Sequence, residues 1–187
     1  MINHNLALYS LLDRTLKVNA YGEDWVVNYT EGDLFELTKK LNDSKTKYPI
    51  IWLQSGYKVR RDALSDVSHL EGCRIFLITL GSTHDRYKER YGSAYDEMLY
   101  PILMGMEKRF NKAVGFRLDG ESSFTTFPFN DTTELVRREA GDKTYTQSTT
   151  TAGDIWDALL LEVNIEINDC ALDAGVDPSK VSLIQTV

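Results

Sequence analysis

One stretch constrains the fold of this chain more than any other: Asp154–Asn168, which reads D-I-W-D-A-L-L-L-E-V-N-I-E-I-N. From Leu159 onward it alternates. Leu159, Leu161, Val163, Ile165 and Ile167 fall on one side, and Leu160, Glu162, Asn164, Glu166 and Asn168 on the other. A period of two is the geometry of an extended strand, whose successive side chains point to opposite faces. The chain therefore contains a sheet with one buried face, and this long, late strand closes it.

The remaining elements are read by the same periodicities. Leu8, Leu11, Leu12 and Leu16 lie at helical spacing, so Asn5–Leu16 is predicted to form an amphipathic first helix. Trp25–Tyr29 is a short β-prone run. Gly32-Asp33 starts a second helix, Leu34–Leu41, with Lys39 and Lys40 in the last turn, where positive charge suits the helix dipole. Tyr48–Tyr57 reads as a strand that admits Pro49 at its first residues. Val59–Glu71 is polar and forms a long loop or a hairpin arm. Cys73–Leu80, apolar on both faces, is a central strand.

A polar loop over Gly81–Gly92 precedes a helix over Ala94–Phe110. Ser93 is its expected N-cap, with Asp96 three residues on. Pro101 lies well inside that helix, where proline removes a backbone donor and crowds the preceding turn, so a kink or a restart is predicted there. Residues 111–154 read as an irregular insertion or arm. Within them Lys112–Leu118 and Phe124–Phe129 are candidate strands, and Tyr145–Ala152 is a polar, Thr-rich stretch. The expected class is α+β: a mostly antiparallel sheet with helices packed on one side and long polar loops. The expected organisation is a single domain over residues 1–170 and a C-terminal tail over 171–187.

Charge separates the end of the chain from the rest. Of the formal net charge of −7, residues 1–109 contribute nothing, with fifteen side chains of each sign, and residues 110–150 carry six acidic against five basic. Residues 151–187 carry seven acidic side chains against Lys180 alone. An acidic surface of this kind repels nucleic acid, which argues against a DNA-gripping role. A solvated strand face and tail is the plainer account of the same bias. The longest apolar runs, Ile75–Leu80 and Ala158–Leu161, are too short to span a membrane, and the first residues lack the basic and small-residue pattern of a secretory signal. Cys73 and Cys170 lack metal-ligand spacing and read as reduced thiols of a cytosolic protein, with a disulfide between two strands as the alternative.

Chemistry is less legible than assembly. His4, His69 and His84 are the only histidines. His84-Asp85 offers a base beside a carboxylate, but neighbouring residues of an extended chain point apart, and no G-x-S-x-G nucleophile context occurs. His69 reads as a surface residue of a charged loop. Gly115 and Gly120 lack the following Lys-Ser/Thr of a phosphate-binding loop. Glu162 and Glu166 lie four residues apart on a strand, roughly 13 Å, which is too far for a glycosidase pair and suits a polar outer face. No catalytic, cofactor-binding or metal-ligating residues are expected, and the chain reads as a non-enzyme.

The candidate interface residues are Lys58, Arg60 and Arg61, the loop residues Arg86, Tyr87, Arg90 and Tyr91, and Glu162 and Glu166 on the late strand. Tyrosine and arginine are enriched at protein interfaces. A basic Tyr/Arg loop and an acidic strand in one chain are complementary between copies, as a head-to-tail ring requires.

The leading helix, the strand Y-P-I-I-W-L, the apolar strand C-R-I-F-L-I-T-L, the polar gap, the helix Y-D-E-M-L-Y-P-I-L-M-G-M-E-K-R-F and the late strand W-D-A-L-L-L-E-V-N-I-E-I-N share an order. That order, over about residues 1–170, resembles bacteriophage neck proteins of the tail-terminator or tail-completion kind. The resemblance implies a virion structural protein, assembled in the host cytoplasm, that forms a closed ring at the end of the tail tube. It implies contacts with tail-tube and head-connector proteins, with DNA passing through the ring unbound, no cofactor and no membrane. Residues 111–154 are longer than a minimal unit of that kind needs, and the tail beyond Asp169 has no counterpart in it. A head-completion, portal-adaptor or tail-tube subunit is the alternative within the same class, and a small hydrolase using His84 is the alternative outside it.

Overall fold

The computed structural model describes residues 3–41, 43–62, 64–81, 87–130, 156–168 and 170. Its frame is a six-stranded sheet. Five strands follow the order β3 (Asn28–Gly32), β4 (Ile50–Gln54), β6 (Val67–Leu80), β8 (Trp156–Asn168) and β7 (Phe116–Asn130), and β5 (Lys58–Asp62) pairs with the first half of β6. Only β3 and β4 run parallel; every other pair is antiparallel. The architecture is the α+β class with a mostly antiparallel sheet that the sequence pattern predicts.

The late strand is the spine of the molecule. β8 is registered against β6 from Val67↔Asn168 to Leu80↔Trp156, and against β7 along its other edge. Leu159, Leu161, Val163, Ile165 and Ile167 all enter the main core. They meet Leu8, Leu11 and Leu12 of α1 (His4–Leu12) and Met98, Ile102, Met106 and Phe110 of the long helical rod. The opposite face of β8 is not uniformly polar. Trp156, Ala158 and Leu160 join Ile50, Trp52, Phe76 and Ile78 in a second core, against Leu37 and Leu41 of α2 (Leu34–Leu41). A parallel β3–β4 pair needs a crossover, and α2 is that crossover. It covers the second face while the longer helices share the first.

Helix ends differ from the sequence expectation where side chains compete for backbone groups. α1 ends at Leu12, not Leu16, because Asp13 turns extended and accepts from the Tyr29 backbone N–H at 3.0 Å. Lys17–Ala20 then forms β1, paired with β2 (Glu23–Val26) across Tyr21-Gly22. Both turn residues have positive φ, 57° and 77°, as the tight turn that matches strand twist requires. Asp33 caps α2 reciprocally with Glu36: the Glu36 N–H donates to Asp33 at 2.8 Å, and the Asp33 N–H donates to Glu36 at 3.0 Å.

The rod begins at Tyr87, earlier than the Ser93 cap read from sequence, and passes through α3 (Tyr87–Arg90), a π-helical stretch (Tyr91–Leu99) and α4 (Tyr100–Lys112). Ser93 lies inside it, its hydroxyl near the Arg90 carbonyl. Pro101 stands just after the change from π to α hydrogen bonding. Its ring would crowd the carbonyl four residues back in an α turn, and a wider turn immediately before it relieves that crowding. Arg109, buried in α4, donates from Nε to the Leu11 carbonyl at 2.9 Å, placing a cation on the C-terminal end of α1.

Candidate functional site

The polar half of the sheet face opposite the main core is the candidate site, and four strands build it. Register places Arg60 of β5 opposite His69 of β6, His69 opposite Glu166 of β8, and Glu166 opposite Arg117 of β7. These four side chains form one row across the sheet. A second row sets Arg74 against Glu162. Between the rows β6 bulges: Glu71 and Gly72 together stand opposite Asn164 alone, between Leu70↔Ile165 and Cys73↔Val163. Gly72 has a φ of 71°, and its N–H donates to the Asn164 side chain at 2.8 Å. The bulge resets the alternation of β6, so Ser68 and Leu70 before it and Cys73, Ile75 and Leu77 after it are all buried.

Val59–Glu71 takes the hairpin form of its two sequence readings. β5 has no strand on its outer edge among the described residues. Lys58 and Arg60 converge on Glu71 at 3.1 and 2.8 Å, and these two hydrogen bonds hold its carboxyl below the usual range. Arg61 lies 3.4 Å from Asp66. At the tip Leu64 is 99% exposed, and Val59 on the strand is half exposed.

Of the predicted interface residues, Lys58, Arg60, Arg61, Glu162 and Glu166 thus lie on this hairpin and face. Their charges are answered within the chain: Lys58 and Arg60 by Glu71, Arg61 by Asp66, Glu162 by Arg74 at 3.4 Å, and Glu166 by Arg117 at 3.9 Å, with the His69 ring 3.4 Å from the other Glu166 oxygen. Arg90 and Tyr91 lie elsewhere. Arg90 is 5% exposed, with Nε 3.8 Å from Oδ2 of the fully buried Asp157, which makes it a core residue and corrects its reading as a loop-surface charge. The reason is local: the rod starts before it and turns it inward. Tyr91 is half-buried, stacked on Tyr95 at 4.7 Å, with its hydroxyl 3.3 Å from Thr126. Tyr87 begins the rod, and Arg86 lies outside the described residues, as do His84 and the Tyr145–Ala152 stretch.

His69 is a strand residue, part-buried, and not a loop residue as its charged surroundings suggested. With Asp119 of β7 and Glu166 it forms a group whose ligand-type atoms all lie within 4.8 Å of one another. Sequence reasoning missed this group because its members are 47 and more positions apart or on strands whose bulges hide their register. The signal available was only the wet side of β8, where Glu166 stood.

A separate cluster sits at the other edge of the main core. Tyr29, Tyr57 and Glu31 lie near Cys73, with the Tyr29 hydroxyl 3.4 Å from Glu31. Burial raises the Glu31 carboxyl, opposed by the Tyr29 hydrogen bond, and pushes the Tyr57 hydroxyl and the Cys73 thiol each up to about 12. Cys73 is therefore an unreactive core thiol. Cys170 is an exposed thiol, 3.3 Å from Asp66.

Among the described residues no helix is long and apolar enough to cross a membrane. No family model, no curated protein and no solved structure matches the chain.

Proposed function

We propose that this chain is a virion structural protein of the bacteriophage neck, a ring-forming subunit of the tail-terminator kind that caps the tail tube and meets the head connector. The observation that carries the reading is the β5–β6 hairpin. It presents a strand edge with no neighbouring strand among the described residues, charges at Lys58, Arg60 and Arg61, and a fully exposed leucine at its tip. An open edge is a template for a strand of a neighbouring copy, and an apolar tip beside it gains from burial in the same contact. The order of elements, with the leading helix, the strands, the late helical rod and the closing strand, supports the same reading by its resemblance to those neck proteins.

The contact differs in kind from a simple match of acidic strand to basic loop. Glu162 and Glu166 are balanced inside the chain, so backbone edge and hairpin tip supply the attraction, and the acidic bias of residues 151–187 suits a ring that DNA passes unbound. The test is the mass of the purified particle by native mass spectrometry and sedimentation. A closed ring that falls to monomer with Leu64→Glu is the expected result. A monomer at tens of micromolar overturns the proposal, and an open filament favours the tail-tube alternative.

A further inference from the structure

We propose that His69, Asp119 and Glu166 bind a divalent first-row transition-metal ion on the polar face of the sheet. The inference does not rest on the assembly reading. Its first support is spacing. With metal–ligand bonds near 2.1 Å, adjacent ligand atoms of a tetrahedral site stand about 3.4 Å apart. His69 Nδ1 and Glu166 Oε1 are 3.4 Å apart, longer than an ordinary N–H···O hydrogen bond, and the Asp119 carboxylate completes a group contained within 4.8 Å.

The second support is the frame. The three ligands come from three adjacent strands, with His69 directly opposite Glu166 and Asp119 opposite Asn164, the residue two before Glu166 on the same face. Sites built on strands hold their geometry better than sites on loops. All three side chains are part-buried, so they are partly shielded from water yet reachable by an ion.

The third support is the disposition of the nearby cations. Arg60, opposite His69, is drawn aside by its 2.8 Å bond to Glu71. Arg117 Nη1 approaches the other carboxylate oxygen of Glu166, Oε2, at 3.9 Å, and leaves Oε1 toward the histidine. A ligating carboxylate oriented through its second oxygen is a common arrangement around metal sites.

One imidazole and two carboxylates suit zinc, cobalt or manganese better than the all-oxygen preference of calcium and magnesium. Three protein ligands leave the remaining positions to water. The bound ion would tie β6, β8 and β7 together at the row where their side chains meet.

The experiment uses the full chain carrying Cys170→Ser, since the exposed thiol is itself a soft-metal ligand. Zn2+ is titrated by calorimetry and Co2+ by visible absorption. The expected result is one ion per chain, a cobalt spectrum without thiolate charge transfer, and at least tenfold weaker binding in both Asp119→Asn and His69→Gln. Far-UV circular dichroism checks the fold of each variant, and Asp119→Asn keeps the size of a part-buried side chain if the histidine variant does not fold. Absence of binding to the Cys170→Ser chain, or undiminished binding in the folded Asp119→Asn chain, overturns the proposal.

Discussion

Leu160→Ala tests whether the closing strand is buried on both faces. Leu160 lies on the same side of β8 as Glu162 and Glu166, and alternation alone groups it with them as a wet residue. It is 4% exposed, in the second core with Trp52, Phe76, Ile78 and Trp156. Removing three carbons from that environment forfeits roughly 2.4 kcal/mol of transfer free energy at about 0.8 kcal/mol per carbon. A cavity that neighbours fill only partly raises the cost to about 3 kcal/mol or more. Leu161→Ala, on the main-core face and fully buried, is expected to cost a similar amount. Glu162→Ala removes a half-exposed carboxylate paired with Arg74 and is expected to cost under about 1 kcal/mol. Urea denaturation followed by tryptophan fluorescence measures all three. With an m-value of about 2–3 kcal/mol/M, each leucine variant shifts the midpoint down by roughly 1–1.5 M. A Leu160→Ala chain within about 0.5 kcal/mol of the parent, with Leu161→Ala destabilised as expected, refutes the second core.

Three further outcomes are expected. Arg90→Met leaves the fully buried Asp157 with one cation fewer and should cost about 3 kcal/mol, read as a lower denaturation midpoint; a neutral effect would show that the pair is not held as described. Native thiol titration should modify Cys170 alone, with Cys73 reacting only after unfolding, because Cys73 is buried and its thiol is pushed up to about 12; prompt reaction of both would contradict that burial. Glu31 is the pH-dependent case. Burial raises its folded value, so between the unfolded and folded values the native state holds a proton that the unfolded chain has lost, and stability declines as pH rises through that window. Glu31→Gln stays neutral throughout, so its stability relative to the parent should climb from about pH 3 to about pH 8; a flat difference would place Glu31 in water.

What could be read ahead of the structure was whatever depended on local periodicity. The alternation of β8, the two-faced apolar run of β6 and the span of α2 each follow from side-chain direction in a single element, and each stands in the fold. The β1–β2 hairpin was missed because its four-residue strands carry too few alternations to register. The start of the helical rod was missed because Tyr87–Gly92 looks like a polar loop until the sheet it packs against is present. Lys58, Arg60, Arg61, Glu162 and Glu166 were legible as a charged surface, yet their partners were not, since cross-strand pairs depend on register.

Taken alone, the sequence determined that a long half-buried strand closes an α+β sheet, because a period of two admits no other regular backbone. Only the tertiary structure decided what that strand's second face does. The bulge at Glu71-Gly72 brings His69 opposite Glu166 while keeping Leu70 and Cys73 both inside, and the α2 crossover covers Leu160. One face of β8 therefore changes, within a few residues, from apolar core to a row of charges facing His69 and Arg117. The residue types along that face mark the change, from Trp156, Ala158 and Leu160 to Glu162, Asn164 and Glu166, but what covers each half is set by which elements lie alongside and in what register.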